Sequence, residues 1–159
     1  MIQLRASRRL PGDAKRVWET ITDWEGQRQW IPFTTVRVST DRREGVGTRC
    51  TAFSGWQVGR RRVGLPDQFE VTRWQPPREV VVSRNEGLFT GDGTFTLQPV
   101  GAGTLVTLTE RVATPLGRLG DAVLKIIGPL LTFGMHLALK RLDTVVVDAD
   151  RHEAPGKRK

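Results

Sequence analysis

A chain of 159 residues fits one domain at roughly 100–200 residues per domain, and one this size buries about 68–70% of its unfolded surface without staples. Its one cysteine, Cys50, excludes an internal disulfide, and with only two histidines the side chains of a structural zinc site are lacking. The net charge of +8 raises nucleic acid or an anionic membrane as a partner, but the excess sits in Arg5, Arg8 and Arg9, in Arg60–Arg62 and in residues 151–159, so the body is nearly neutral and nucleic acid is disfavoured.

The opening MIQLRASRRL alternates and carries arginines, so no secretory leader is expected there, and the single cysteine points to a reducing, cytoplasmic setting. Residues 2–10 predict a strand with Ile2, Leu4 and Ala6 on one face, broken by Pro11-Gly12. Asp13 is placed to cap a helix whose Ala14, Val17, Trp18 and Ile21 recur at three- and four-residue spacing. A second short helix is expected over Trp24–Gln29, ended by Pro32. Strands follow at Thr34–Thr40 and Gly47–Phe53. Residues 54–66 (SGWQVGRRRVGLP), with three glycines and a proline, read as a long loop. Asp67–Trp74, Glu79–Arg84, Leu88–Gln98 and Thr104–Val112 complete an antiparallel meander with short turns.

From Leu119 to about Asp150 one long helix is expected. Its buried stripe is read as Leu119, Val123, Ile126, Leu130, Phe133, Leu137 and Arg141, widened by Ile127, Leu131, Gly134, Ala138 and Val145. Pro129 should kink it. Lys125, His136 and Gly128-Pro129 interrupt the apolar stretch 122–139, which favours a core helix over a membrane span of about 20 apolar residues. Residues 1–150 read as one domain and 151–159 as a basic, disordered tail.

Several motifs resemble a known family. Asp23, Trp30 and Pro32 lie in DWEGQRQWIP; Gly45, Gly47 and Thr48 lead into a strand; Val71, Trp74, Pro76 and Pro77 end another. Gly91-Asp92-Gly93-Thr94-Phe95, Gly103-Thr104, Glu110 and Pro115-Leu116-Gly117 follow in order. Over residues 3–147 this pattern resembles the START-like (SRPBCC) superfamily, in its polyketide cyclase/dehydrase-like branch common in actinobacteria. The resemblance implies an α+β helix-grip fold: a curved seven-stranded antiparallel sheet with two short helices and a long C-terminal helix, enclosing a cavity. It implies no particular ligand.

The residues support a cavity independently. The strands are rich in Val and Thr, small for filling the gap under one helix, and Gly87, Gly91 and Gly93 leave more room. Glu110 shares strand parity with Val106, Leu108 and Val112, so it points toward the helix, as a ligand-orienting or acid/base group or as half of a structural ion pair. Arg141 is its candidate partner, or a side chain snorkelling to water. Phe69, Phe95 and Leu108 from the strands and Leu130, Gly134 and Leu137 from the helix are candidate lining residues, with Trp56 at the mouth. Arg84 shares parity with Val80 and Val82, and Arg73 with Phe69 and Val71, yet solvent exposure is expected for both. His136 falls on the helix's polar side, and Cys50 reads as a small buried hydrophobe. Trp18, Trp24, Trp30 and Trp74 read as core.

No catalytic triad spacing, nucleophile elbow, metal cluster or phosphate loop is present, and no cofactor or metal is expected. The chain also has no tyrosine, which weighs against aromatase chemistry resting on phenolic groups. The leading reading is binding or transport of a small hydrophobic, lipid-like or polyketide-like ligand by a monomer or homodimer. The alternatives are a cyclase/dehydrase-type enzyme using Glu110 as acid/base, and a peripheral membrane or interaction module working through 54–66 with Trp56 and Arg60–Arg62.

Overall fold

The computed structural model describes residues 1–153. In chain order these form β1 (Ile2–Pro11), α1 (Ala14–Thr22), a 3-10 turn (Glu25–Gln29), β2 (Thr34–Val38), β3 (Arg49–Val58), β4 (Arg61–Gln75), β5 (Glu79–Arg84), β6 (Thr90–Val100), β7 (Gly103–Ala113) and α2 (Gly117–Glu153). The strands make one antiparallel sheet in the order β1-β7-β6-β5-β4-β3-β2, curled into a half-barrel along which α2 lies: the helix-grip arrangement of an α+β domain. The expected cap is present, Asp13 Oδ1 accepting from the Arg16 backbone N–H at 2.8 Å. α2 stays helical through Pro129 and extends into the segment read as a tail; 154–159 lie outside the described residues.

Strand alternation divides the sheet into two faces. Ala6 and Leu10 of β1, Val106 and Leu108 of β7, Phe95 and Leu97 of β6, and Val80 and Val82 of β5 all point inward and are buried. At one end this face meets α1 and the second half of α2, whose Leu139, Leu142 and Val146 are fully buried. Each such side chain contributes about 1.5–3 kcal/mol by leaving water. Trp18 stacks edge-on to Trp74 at 5.0 Å, and Trp24 does so to Phe69 at 5.6 Å. Ion pairs from Arg8 to Asp143 and from Arg16 to Asp150 fasten α2 to β1 and α1. We call this the closed end.

Two expectations are corrected. Residues 54–66 are not a loop: β3 and β4 continue through them as a hairpin turning at Gly59-Arg60. Gly55 and Gly64 pair across it, and a Cβ at either would stand under 3 Å from the opposing backbone, so these glycines permit close strand approach where loop flexibility was read. β5 pairs with β4 only from Glu70 onward, so Pro66 lies on a stretch with one free edge and interrupts no β5 ladder.

The buried stripe of α2 also differs. Leu124, Met135, Leu139, Leu142 and Val146 face the core, whereas Leu119, Val123, Ile126, Leu130 and Phe133 are exposed, as is Arg141. The helix carries apolar residues around more than half its circumference in this region, and the contact with β1 selects the side holding Leu124 and Gly128. A bulge between Val71 and Arg73 shifts the register of β4. Trp74 therefore follows Val71 inward against the core, and Arg73, exposed as expected, turns outward to pair with Glu79.

Candidate functional site

The other end of the half-barrel differs in construction. Arg84 is the last residue of β5, opposite Gly91 of β6, which lies opposite Val112 of β7. Two residues along, Val82, Gly93 and Glu110 form the next inward row. Gly93 matters here: a Cβ there would stand 2.8 Å from Glu110 Oε1, so its bare backbone makes room for that carboxylate. The pleat thus brings Arg84 and Glu110 together across β6, although 26 residues separate them in the chain.

Arg84 is clamped by two carboxylates. Nη1 and Nη2 donate to Glu110 at 2.8 and 3.3 Å, a bidentate fork, and Nε lies 2.9 Å from Asp67 Oδ2 on β4. None of the three is sealed: their side chains keep 19% (Arg84), 18% (Glu110) and 32% (Asp67) of their surface. Burial pulls Arg84 toward neutrality, but Glu110 and then Asp67 outweigh it and hold the guanidinium more firmly protonated than usual. Burial also pushes the Asp67 carboxyl above its ordinary range, an effect that Arg84 and the Gln68 backbone N–H only partly offset. The cluster has two carboxyls, one guanidinium and guanidinium N–H groups left over, so it can both donate to and accept from an oxygen-bearing ligand.

Around it the inward face is apolar or small: Val82 and Val112 beside the network, and Ala52, Leu65, Trp56 and Val63 along the hairpin. α2 packs chiefly on β1, so the concave inward face around the cluster is left as a trough whose floor holds the part-exposed Asp67, Arg84 and Glu110. A groove of about 590 Å³ between β1 and α2, lined by Ile2, Leu4, Leu124, Pro129 and Phe133, adjoins the same end. A concavity of about 770 Å³ lies on the sheet's outer face, among Arg5, Arg73, Asp92, Thr107 and Arg111. Its charges and threonines belong to the solvated side of the strands, and we do not assign the site there.

Of the residues singled out from sequence, Glu110 sits in the floor, paired with Arg84; Arg141, its expected partner, is exposed on α2. Trp56 stands on the hairpin, 61% exposed, with its ring 5.5 Å from Phe33. Phe95 and Leu108 are core, Phe95 against Trp30 at 6.0 Å, and Phe69 packs on Trp24. Leu130 is exposed, and Gly134 and Leu137 are half-buried. His136 is exposed as expected, and Cys50 is 1% exposed, its thiol pushed up to about 12 chiefly by burial. Asp67 was missed, and Arg84 was read as solvent-facing. The available signal was parity: Asp67 alternates with Leu65 and Phe69, and Arg84 with Val80 and Val82.

A curled seven-stranded antiparallel sheet gripping a long helix defines a helix-grip class of α+β domain. Within that class, residues 1–147 match the family described as polyketide cyclase / dehydrase and lipid transport, and the chain belongs to it. Solved structures share the fold. A protein from Thermus thermophilus is 24% identical, with TM-score 0.73, covering 93% of this chain and 99% of its own. An Arthrobacter aurescens protein is 17% identical, with TM-score 0.70, covering 92% and 86%. The Aha1 dimer of Colwellia psychrerythraea is 15% identical, with TM-score 0.64, covering 92% and 96%. No curated protein matches the sequence.

Proposed function

We propose that the protein binds a small hydrophobic molecule with one oxygen-bearing polar end, lipid-like or polyketide-like, in the trough at the open end. The observation that carries this is the Asp67–Arg84–Glu110 cluster, accessible in the floor of an otherwise apolar concavity that α2 leaves uncovered. A charged group on an apolar wall costs stability unless something uses it, and a polar ligand head is such a use. The single, free, buried Cys50 fits a reducing compartment, and we place the activity in the cytoplasm.

A second reading, chemistry of the cyclase/dehydrase type, is favoured by Asp67 more than by Glu110. Asp67 has the raised carboxyl and the more open side chain, while Glu110 is held by both ends of the Arg84 fork.

Titration with dansyl-undecanoate, read by energy transfer from tryptophan, tests the binding reading. Saturable binding is expected, weakened about tenfold or more in Arg84→Met, since one lost charge-assisted hydrogen bond corresponds to about 1.5–3 kcal/mol. A folded wild type that takes up no probe, or a folded Arg84→Met that binds as tightly, would overturn it.

A further inference from the structure

The large exposed apolar side chains are concentrated at the open end. Phe33, Trp56, Val58, Val63 and Leu65 belong to the hairpin arm and its neighbour; Leu119, Val123, Ile126, Leu130 and Phe133 belong to α2. Both arms project past the sheet. Gly128 lies against Leu4 and Ile2 at the start of β1 and Asp121 meets the N-terminal amine, so the first turn of α2, ahead of Asp121, leads past the first residue of that strand. Across the sheet, β3 and β4 continue to Val58 and Arg61 after β5 has ended at Arg84, which Asp67 already meets. One arm rises from the β1 edge and the other from the β2–β4 edge, flanking the trough mouth. Phe33, in contact with Trp56, has φ 57, a left-handed backbone that a non-glycine residue adopts only under constraint.

Charge tells what covers these arms. The hairpin tip carries Arg60, Arg61 and Arg62 and no acidic residue between 54 and 66; Arg62 is engaged over the Phe53 ring at 5.1 Å. On α2, Arg118 and Lys125 stand to the side of the exposed stripe, while Asp121 is neutralised by the N-terminal amine at 2.7 Å. Apolar residues pointing outward with cations at their flanks match an anionic lipid surface: the apolar groups enter the acyl boundary and the cations meet headgroups.

We propose that the open end docks on anionic bilayers through both arms, inserting Trp56, Val58 and Val63 together with Leu119, Ile126 and Leu130, with Arg60, Arg61, Arg118 and Lys125 against the headgroups. Docking stands apart from the ligand reading, because it is measured with no ligand present. Co-flotation of the full chain with vesicles of phosphatidylcholine alone, and of equimolar phosphatidylcholine and phosphatidylglycerol, tests it. Binding is expected to the mixed vesicles only, to be lost at high salt, and to weaken roughly tenfold or more in Arg60→Glu/Arg61→Glu and in Ile126→Ser/Leu130→Ser. All four positions are at the surface, so both variants should melt like the wild type, which circular dichroism checks. No flotation with mixed vesicles at low salt would overturn the proposal. So would flotation that both folded variants retain, or sedimentation showing a stable dimer that Ile126→Ser/Leu130→Ser dissociates, because a second copy would then cover the stripe.

Discussion

The two ends of this half-barrel are built from similar residues used differently. At the closed end Trp18, Trp24 and Trp74 interlock, Leu139 and Leu142 are wholly buried, and ion pairs latch α2 to β1 and α1. At the open end the same helix presents Ile126 at 79% exposure and Leu130 at 70%, and the hairpin presents Trp56. The polar groups follow the same division. Those of the closed end are spent on structure, as when Gln27 donates to the Ile21 carbonyl at 3.0 Å, whereas Asp67, Arg84 and Glu110 remain accessible. Stability is thus concentrated at one end, and the other keeps its apolar and charged surface available.

Truncation should break the molecule at one end only. Leu139→Ala or Leu142→Ala is expected to cost about 2–5 kcal/mol in urea unfolding. Ile126→Ala or Leu130→Ala should stay within about 0.5 kcal/mol. Equal costs at the two ends would contradict the comparison.

Next in size is Arg84→Met, which leaves two carboxyls without their cation on an apolar wall and should cost about 3 kcal/mol at neutral pH. In that variant Asp67, already raised by burial, loses the cation that pulls it down and so holds its proton still more tightly folded than unfolded. Its contribution is then fully present below the ordinary aspartate value and lost as pH rises through the raised folded value. The deficit relative to wild type should therefore shrink on acidification, and unfolding at neutral and mildly acidic pH would show it.

A smaller effect isolates Asp67. Its carboxyl already sits above the ordinary range in the intact network, so its contribution is present below the usual aspartate value and declines as pH rises through the raised one. Asp67→Asn should flatten the stability profile over that interval; an unchanged profile would place Asp67 outside the coupled cluster. Least of all should happen at Cys50. With a thiol near 12 and 1% exposure, it should resist Ellman's reagent in the folded protein and react once urea unfolds it.

Much of the closed end was legible from sequence, because its signals are local. Asp13 before a helical repeat, Trp18 on that repeat's apolar face, and alternating β-branched runs each need only a few neighbouring residues. The open end was not, for three physical reasons. Glycine has two meanings, so Gly55 and Gly64 suggested a loop when they serve close strand pairing. A helix apolar on most sides does not declare which side is covered; packing on β1 decides, and it chose Leu124 over Leu119 and Val123. Strand parity turned Arg84 and Glu110 to the same face, but only the β5-β6-β7 register makes them neighbours, so Glu110 was matched to Arg141.

The most direct measurement is a map of backbone amide shifts in the ¹⁵N-labelled protein as dansyl-undecanoate is added. The account predicts changes at Ser54–Asp67, around Arg84 and Gly93–Glu110, and in the first half of α2, with Trp18, Ile21 and Leu139 unmoved. Shifts centred on the closed end, or spread evenly over the chain, would contradict a ligand trough at the open end.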